Sequence, residues 1–209
     1  MAMPRAADDF DVVVARLDVS PDEVRALQAC LSASERQRAG RFFFQRHRRR
    51  FIVARARLRG LLGARLGIAP AAVELAYGAN GKPALAPHVA DDSLHFSVSH
   101  CGDVALFAFS PSSGIGVDVE ALRPIRSADA IAAHFFSPRE RKAYAALAAR
   151  DKPLGFLRCW TRKEALVKGI GDGLSMPIDQ LDAGRAPGWR VHSFFPLPGF
   201  IAAVACHSG

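Results

Sequence analysis

The sequence has few cysteines and no closely spaced pair of them, so it shows neither a CxxC redox motif nor a zinc-binding pattern. The four are Cys30, Cys101, Cys159 and Cys206. Long apolar runs are also missing, because none approaches the roughly 20 residues that a membrane-spanning helix needs. Asp8, Asp9 and Asp11 stand near the start, where a secretory signal peptide would need apolar residues, so we expect none there. We therefore expect a cytoplasmic protein with reduced thiols and no membrane partner.

Acidic residues are outnumbered by basic ones. The chain has 28 lysines and arginines against 20 aspartates and glutamates, a formal net charge of +8. Half of its 209 residues are hydrophobic, which is enough to build a core and argues against disorder. The positive field should attract anionic partners, such as nucleotides, phosphates or an acidic protein. The sign of the charge does not distinguish among them.

Two segments of the chain repeat each other. Six residues recur 105 positions later without a gap: Ser32, Glu35, Arg36, Phe51, Arg57 and Leu61 recur as Ser137, Glu140, Arg141, Phe156, Arg162 and Leu166. In both copies a serine precedes a glutamate by three residues, the capping-box pattern of a helix start. Self-similarity at a fixed period usually indicates repeated structure. We predict two similar halves, 1–110 and 111–209; the alternative is coincidence between two amphipathic helices.

The predicted secondary structure mixes helices with short strands. Segments 94–98, 104–110 and 114–120 are rich in β-forming residues and are separated by turn signals. A helix is predicted from about Pro153 to Gly169, with Asp151 available as its N-cap and further glycines to stop it. This order predicts an α+β protein with an antiparallel sheet.

The predicted strand 114–120 carries two carboxylates on one face. The period of two places Asp118 and Glu120 together and both valines opposite them. Two acids so placed repel each other unless a cation lies between them. Magnesium takes one or two carboxylates plus substrate phosphates, so it suits this spacing. The alternative is an ordinary solvated strand face.

Four other groups are candidates for chemistry. Glu164 and Lys168 are four residues apart on one helix, where an ion pair alone would be ordinary surface decoration. The glycine-rich segment 169–173 follows them, where backbone can approach a ligand closely. Lys82 lies in a tight turn, and Ser99 and His100 end a strand. An arginine-rich helix, residues 46–59, offers guanidinium groups that suit phosphate.

Four segments in this order resemble phosphopantetheinyl transferases, and the larger Sfp-type class in particular. They are GKPAL at 81–85, FSVSHCGD at 96–103, GIGVDVE at 114–120 and WTRKEALVKGIGDGL at 160–174. The segment from Glu35 to Phe51 extends the likeness toward the start. The resemblance implies two similar subdomains related by a pseudo-twofold axis, each with helices on a small, mainly antiparallel sheet. It also implies a monomer that binds coenzyme A and magnesium between the subdomains.

The resemblance implies a reaction and roles for named residues. The phosphopantetheine moiety of coenzyme A would be transferred to a serine of an acidic apo acyl or peptidyl carrier protein, releasing adenosine bisphosphate. Glu164 would accept the serine proton and Lys168 would assist the leaving group. The implied magnesium ligands are Asp118, Glu120 and Glu164. The implied coenzyme A contacts are Lys82, Ser99, His100, Lys163 and Lys168, with Arg38 and Arg50 as further candidates for phosphate contact.

The sequence departs from the family pattern at two places. His47-Arg48 stands where family members often have Asp-Arg, and Cys101 replaces a frequent serine. Two alternative functions remain: a nucleic-acid-binding module, suggested by the arginine-rich helix, and a non-catalytic coenzyme A-binding protein. The first leaves the acidic strand face unexplained, so we expect no nucleic-acid partner. The intact carboxylates argue against the second.

Overall fold

The structure, a computed structural model, describes residues 10–78, 81–89, 93–111, 114–171 and 177–208. Helices and strands alternate irregularly along these residues, which confirms the predicted α+β class. The α-helices are α1 (Pro21–Gln28), α2 (Ala33–Gly40), α3 (Gln45–Leu66), α4 (Ala128–Phe135), α5 (Pro138–Ala145) and α6 (Lys152–Ile170). The strands are β1 (Asp11–Arg16), β2 (Leu75–Tyr77), β3 (Pro83–Leu85), β4 (His95–Cys101), β5 (Val104–Ser110), β6 (Ile115–Ala121), β7 (Trp189–Phe194) and β8 (Phe200–His207). Among these helices, none has the length and apolar character that crossing a membrane requires.

The chain forms two compact units. The larger unit comprises Met1–Val14, Asp92–Gly102 and Leu106–Gly209, and the smaller unit comprises Ala15–Asp91 and Asp103–Ala105. The division of the chain near residue 110 and the pseudo-twofold axis stay predictions.

The sheets are small. Strands β1, β5 and β4 form one sheet in that order, and β2 pairs with β3 antiparallel. A third sheet has the order β6-β8-β7 with antiparallel pairing, in which Val117 lies opposite Val204 and Asp118 opposite Ala203. The small alanine side chains of β8 leave room for a helix to pack closely on this sheet.

Helix α6 packs on the third sheet and supplies much of the core of the larger unit. Ala165 and Leu166 join Ala203 and Ala205 of β8 in one buried cluster. Phe156 and Leu157, two turns earlier, pack with residues of α4 and α5 in a second cluster. Burial of these apolar side chains, worth about 25 cal/mol per Å², fixes α6 against the sheet. Packing therefore fixes the backbone positions from which the polar side chains of α6 extend.

The predicted strands and the long helix are confirmed with small shifts of boundary. Segment 94–98 belongs to β4, which continues through Ser99, His100 and Cys101. Helix α6 begins at Lys152, and Asp151 occupies the N-cap position. This confirms Asp151 as the N-cap residue, although its side chain makes no capping hydrogen bond. Pro153 in the first turn suits the start of α6.

Both predicted capping boxes of the repeat are present. At the start of α2 the Glu35 amide donates a hydrogen bond to Ser32 Oγ, and the Ser32 amide donates one to the Glu35 carboxylate. Ser137 and Glu140 do the same at the start of α5.

Each capping-box glutamate also holds a buried cation from the long helix that follows. Arg59 of α3 donates to Glu35 over 2.7 Å, and Lys163 of α6 donates to Glu140 over 2.6 Å. Each cation also donates to the backbone carbonyl of the residue that follows a short 3-10 helix, Pro70–Ala72 or Ile178–Gln180. Each unit thus contains the same arrangement, here called the brace: a buried cation bonded to a capping-box glutamate and to a backbone carbonyl.

Candidate functional site

The carboxylates of β6 lie on the strand face that packs against α6. Gly116 shares this face with Asp118 and Glu120 because alternate residues of a strand point the same way. A Cβ atom on Gly116 would lie 1.9 Å from the Ala165 carbonyl oxygen of α6. Only glycine permits this approach, and it brings α6, with Glu164 and Lys168, close to the two acids.

Alternate side chains of β4 also point toward β6. The Val117 amide donates to Ser97 Oγ over 3.1 Å. Ser99 Oγ donates to Asp118 Oδ1 over 2.9 Å, and Cys101 Sγ lies 3.5 Å from Glu120 Oε2. Ser99 and Cys101 therefore orient the two carboxylates of β6, a role that the sequence analysis assigned to neither.

Asp118 is the most buried carboxylate of the site. Lys168 Nζ donates to Asp118 Oδ1 over 2.6 Å and to Ser99 Oγ over 3.1 Å. The Asp118 side chain is only 7% exposed, whereas that of Lys168 is 30% exposed. The second oxygen, Asp118 Oδ2, is buried and lacks a hydrogen-bond partner in the described part of the chain. A buried, unpaired carboxylate oxygen is costly unless another group satisfies it.

The other two carboxylates experience the charge of Asp118. Burial raises the pKa of Glu120, and the neighbouring Asp118 raises it further. Burial likewise raises the pKa of Glu164, with Asp118 as the second cause, while Lys168 acts in the opposite direction. Three acids so close to one another carry more negative charge than one lysine neutralises, which favours binding of a further cation.

The donor set fits a hard divalent cation. Carboxylate oxygens are the ligands that magnesium prefers, and it completes its shell with water and substrate phosphate. Within the residues that the structure describes, no three His, Cys, Asp or Glu side chains are already arranged around a metal position. The unpaired Asp118 Oδ2 and the uncompensated charge nevertheless identify where such an ion would be accommodated. The sequence-predicted residues Asp118, Glu120, Glu164, Lys168 and Ser99 all belong to this carboxylate cluster.

Lys163 does not join the carboxylate cluster. Its side chain is 1% exposed, and its ammonium group is bonded to Glu140 and to the Leu181 carbonyl. Neighbouring residues of a helix point in different directions, so Lys163 and Glu164 face different surroundings. The contact with diphosphate that the resemblance implied for Lys163 has no support in this arrangement, and the repeated brace gives the residue a structural role.

Replacing Lys163 with methionine should destabilise the protein by about 3 kcal/mol, because it leaves Glu140 buried without its cation. The midpoint of urea unfolding checks this, with the exposed Lys142→Met as a control that should unfold like the unchanged protein. A raised KM for coenzyme A with normal stability would instead assign Lys163 to substrate binding.

The remaining predicted residues are distributed over both units. His100 is exposed and, by alternation along β4, points away from Ser99 and Cys101. Lys82, in the smaller unit, follows a turn in which Gly81 has φ +71°. Arg50 forms a bidentate ion pair with Asp103, with bonds of 2.7 and 3.0 Å. That pairing competes with the phosphate contact expected of Arg50.

Arg38 lies in a cavity of about 670 Å³ in the smaller unit, and its guanidinium covers the Phe51 ring at 5.4 Å. Arg41 lines the same cavity. The larger unit has a cavity of about 350 Å³ at repeat-equivalent positions. Five lining residues of the first cavity correspond at the offset of 105 to lining residues of the second, namely Ser34, Glu35, Arg38, Phe42 and Tyr77 to Arg139, Glu140, Ala143, Leu147 and Asp182. Arg38 thus corresponds to an alanine, and the guanidinium groups lie at different positions in the two cavities: Arg38 and Arg41 line the first, and Arg139, Arg158 and Arg162 line the second.

Gly116 is the main functional residue that the sequence analysis missed. A glycine inside a strand pattern signals close backbone approach, so the signal was present. The orienting role of Cys101 had no such signal, because it depends on the side-by-side position of β4 and β6. Asn80 of the tight turn and positions 172 and 173 of the glycine-rich segment lie outside the described residues.

Two family models match the chain. The 4'-phosphopantetheinyl transferase superfamily model matches residues 114–200, which contain β6 and α6. The N-terminal 4'-phosphopantetheinyl transferase model matches residues 18–112. Together they cover most of the sequence, and the chain belongs to the 4'-phosphopantetheinyl transferase family.

Curated relatives agree with this assignment. HetI of Nostoc sp., a 4'-phosphopantetheinyl transferase, is 37% identical over 198 residues, which cover 90% of this chain and 84% of HetI. The 4'-phosphopantetheinyl transferase ffp of Bacillus subtilis is 30% identical over 197 residues, covering 91% of this chain and 84% of its own. Sfp of Bacillus subtilis strain 168 is 30% identical over 164 residues, covering 77% and 69%. The resemblance inferred from the four motifs is confirmed.

Proposed function

We propose that this chain transfers the phosphopantetheine moiety of coenzyme A to a serine of an apo acyl or peptidyl carrier protein, releasing adenosine bisphosphate. The observation that carries the proposal is the carboxylate cluster of β6 and α6, with one lysine, in a member of this family. In this reaction the attacking hydroxyl belongs to the carrier serine. The enzyme therefore needs no nucleophile of its own, and its role is to position and polarise the reactants.

The cluster is proposed to hold magnesium through Asp118, Glu120 and Glu164. Magnesium would neutralise the charge of the coenzyme A diphosphate when bound. This choice of ligands is supported by the unpaired Asp118 Oδ2, and by the burial and the neighbouring charge of Asp118 that raise the pKa of Glu120 and Glu164.

Glu164 and Lys168 are the proposed acid–base pair. The carboxylate of Glu164 would accept the proton of the incoming serine hydroxyl, directly or through a water molecule. The ammonium group of Lys168 would stabilise or protonate the departing phosphate of adenosine bisphosphate. One helical turn separates the two groups, so α6 would serve both ends of the reaction.

Contacts to coenzyme A are proposed for Lys82, His100 and Arg38. The cavity that contains Arg38 and Arg41 supports a phosphate contact there, because two guanidinium groups line it. Arg50 would contribute mainly by orienting Asp103. Ser99 would act on coenzyme A through its bonds to Asp118 and Lys168. We also propose a cytoplasmic monomer, which agrees with the finding that the four cysteines, all in the described part of the chain, form no disulfide.

The carrier partner is proposed to be acidic. Arg123 and Arg126 are exposed just after β6, and Arg123 is close enough to Glu120 to lower its pKa. Positive charge at this position would speed the encounter with an acidic carrier and would be screened by salt.

Replacing Arg123 and Arg126 with glutamate should lower kcat/KM for the carrier by about tenfold at low salt, with the KM for coenzyme A unchanged. The difference from the unchanged enzyme should shrink as ionic strength rises. Arg150→Glu, at an exposed position in the same unit, is the control. The control changes the net charge half as much, so a loss half as large on a logarithmic scale would show that net charge alone matters.

Intact-mass spectrometry tests the function itself. An apo carrier protein, this enzyme and coenzyme A should yield a carrier heavier by one phosphopantetheine, and chelation of magnesium should prevent the gain. No gain with fatty-acid, polyketide or peptide-synthesis carriers would favour the non-catalytic coenzyme A-binding alternative.

A further inference from the structure

Lys168, Asp118 and Ser99 form a closed triangle of polar groups. Lys168 Nζ is 2.6 Å from Asp118 Oδ1 and 3.1 Å from Ser99 Oγ, and Ser99 Oγ is 2.9 Å from Asp118 Oδ1. One oxygen of Asp118 thus receives two hydrogen bonds, while Oδ2 receives none from the described residues. Lys168 therefore acts as the counter-ion of Asp118 in this structure.

In the proposed reaction, two cations compete for the Asp118 carboxylate: the divalent metal ion and the Lys168 ammonium group. A divalent ion at Asp118 and the Lys168 ammonium would repel each other, and at about 4 Å this repulsion is strong in a partly buried site. The two cations also have different partners available. Magnesium needs carboxylate oxygen, whereas a lysine ammonium group can bind phosphate as a point charge.

The mobility of the three side chains differs. Asp118 is on a central strand and nearly fully buried, and Ser99 is buried on β4. Lys168 has a flexible four-carbon stem, its side chain is 30% exposed, and it lies in the last turn of α6. Of the three, Lys168 is the group that can move without loss of core packing.

We propose that Lys168 occupies Asp118 as a resident counter-ion in the metal-free protein and is displaced when a divalent cation binds, which delivers its ammonium group to the diphosphate of coenzyme A. This rests on the proposed function and adds an order of events to it. Metal binding and coenzyme A binding are then coupled, because each removes a competitor of the other, and the coupling is reciprocal.

Metal affinity in the absence of coenzyme A and carrier protein tests the exchange without any activity measurement. Titration with Mn²⁺, followed by electron paramagnetic resonance, gives the dissociation constant. Lys168→Met should bind Mn²⁺ about tenfold more tightly than the unchanged protein, because a competing charge is removed. Addition of coenzyme A should tighten Mn²⁺ binding to the unchanged protein more than to Lys168→Met.

Lys152→Met is the matched control. It removes the same charge from the other end of α6, where Lys152 pairs with the exposed Asp129 over 3.2 Å. Its affinity for Mn²⁺ should equal that of the unchanged protein. Equal or weaker binding by Lys168→Met would overturn the exchange while leaving the metal site in place. Absence of Mn²⁺ binding in all three proteins would overturn the metal assignment as well. The proposed transfer reaction is tested separately, by mass spectrometry of the carrier.

Discussion

Asp118→Asn is expected to lower phosphopantetheine transfer by at least about a thousandfold while the protein stays folded. Asparagine has the shape of aspartate but lacks its charge, so it cannot neutralise a cation in the carboxylate cluster. Stability should change by no more than about 1 kcal/mol, since the Lys168 partner is partly exposed and screened by solvent. Asparagine can still accept the Ser99 hydrogen bond.

The rate of carrier modification and the thermal melting curve together check this expectation. Asp129→Asn is the matched control. Asp129 is an exposed residue of α4 that pairs with Lys152, at the opposite end of α6 from Lys168. The control should modify the carrier at the normal rate. Normal turnover by Asp118→Asn would remove Asp118 from the site.

Gly116→Ala should cost about 3 kcal/mol of unfolding free energy and most of the activity. The new Cβ would lie 1.9 Å from the Ala165 carbonyl oxygen and 2.4 Å from the Gly169 amide nitrogen, so α6 must move outward. Glu164 and Lys168 move with it. A displacement of about 1 Å in a catalytic group can lower the rate about a hundredfold.

The position of the glycine, not its removal as such, should determine the effect. At Gly60, in the interior of α3, an added Cβ would have no neighbour within 4 Å. Gly60→Ala should therefore stabilise the protein by about 1 kcal/mol through helix propensity. Denaturant unfolding and carrier modification measured on both variants check the pair. Unchanged activity in Gly116→Ala would show that close packing of α6 on β6 is unnecessary for catalysis.

Much of the fold could be predicted because its signals are local. The capping boxes at Ser32 and Ser137 require only a serine and a glutamate three residues apart. Period-two alternation in GIGVDVE predicted a strand with Asp118 and Glu120 on one face, and β6 has this form. Glu164 and Lys168 share a helix face for the same kind of reason.

Two predicted site residues have partners in distant segments. The resemblance implied a diphosphate contact for Lys163, yet its ammonium group is bonded to Glu140, which comes 23 positions earlier. Arg50 was a candidate for phosphate contact, but its partner Asp103 is 53 positions away. Side-chain direction on a helix and pairing across elements are fixed by tertiary packing, which composition and spacing do not contain.

The contacts of Lys163 have a counterpart in the other unit. Arg59 and Lys163 are each bonded to a capping-box glutamate. The offset of 105 pairs Lys163 with Leu58 and Arg59 with Glu164, so the two cations do not occupy equivalent sequence positions. Their common structural role is therefore visible in the contacts and not in the sequence repeat.

If Asp118, Glu120 and Glu164 form the metal centre of a phosphopantetheinyl transferase, a crystal structure with coenzyme A and Mn²⁺ in place of magnesium should show it through the anomalous signal of manganese. One anomalous peak is expected in contact with the three carboxylates and with the coenzyme A diphosphate, and Lys168 is expected to be bonded to phosphate. A peak elsewhere, or coenzyme A bound with Lys168 still on Asp118 and no peak at the cluster, would contradict this assignment.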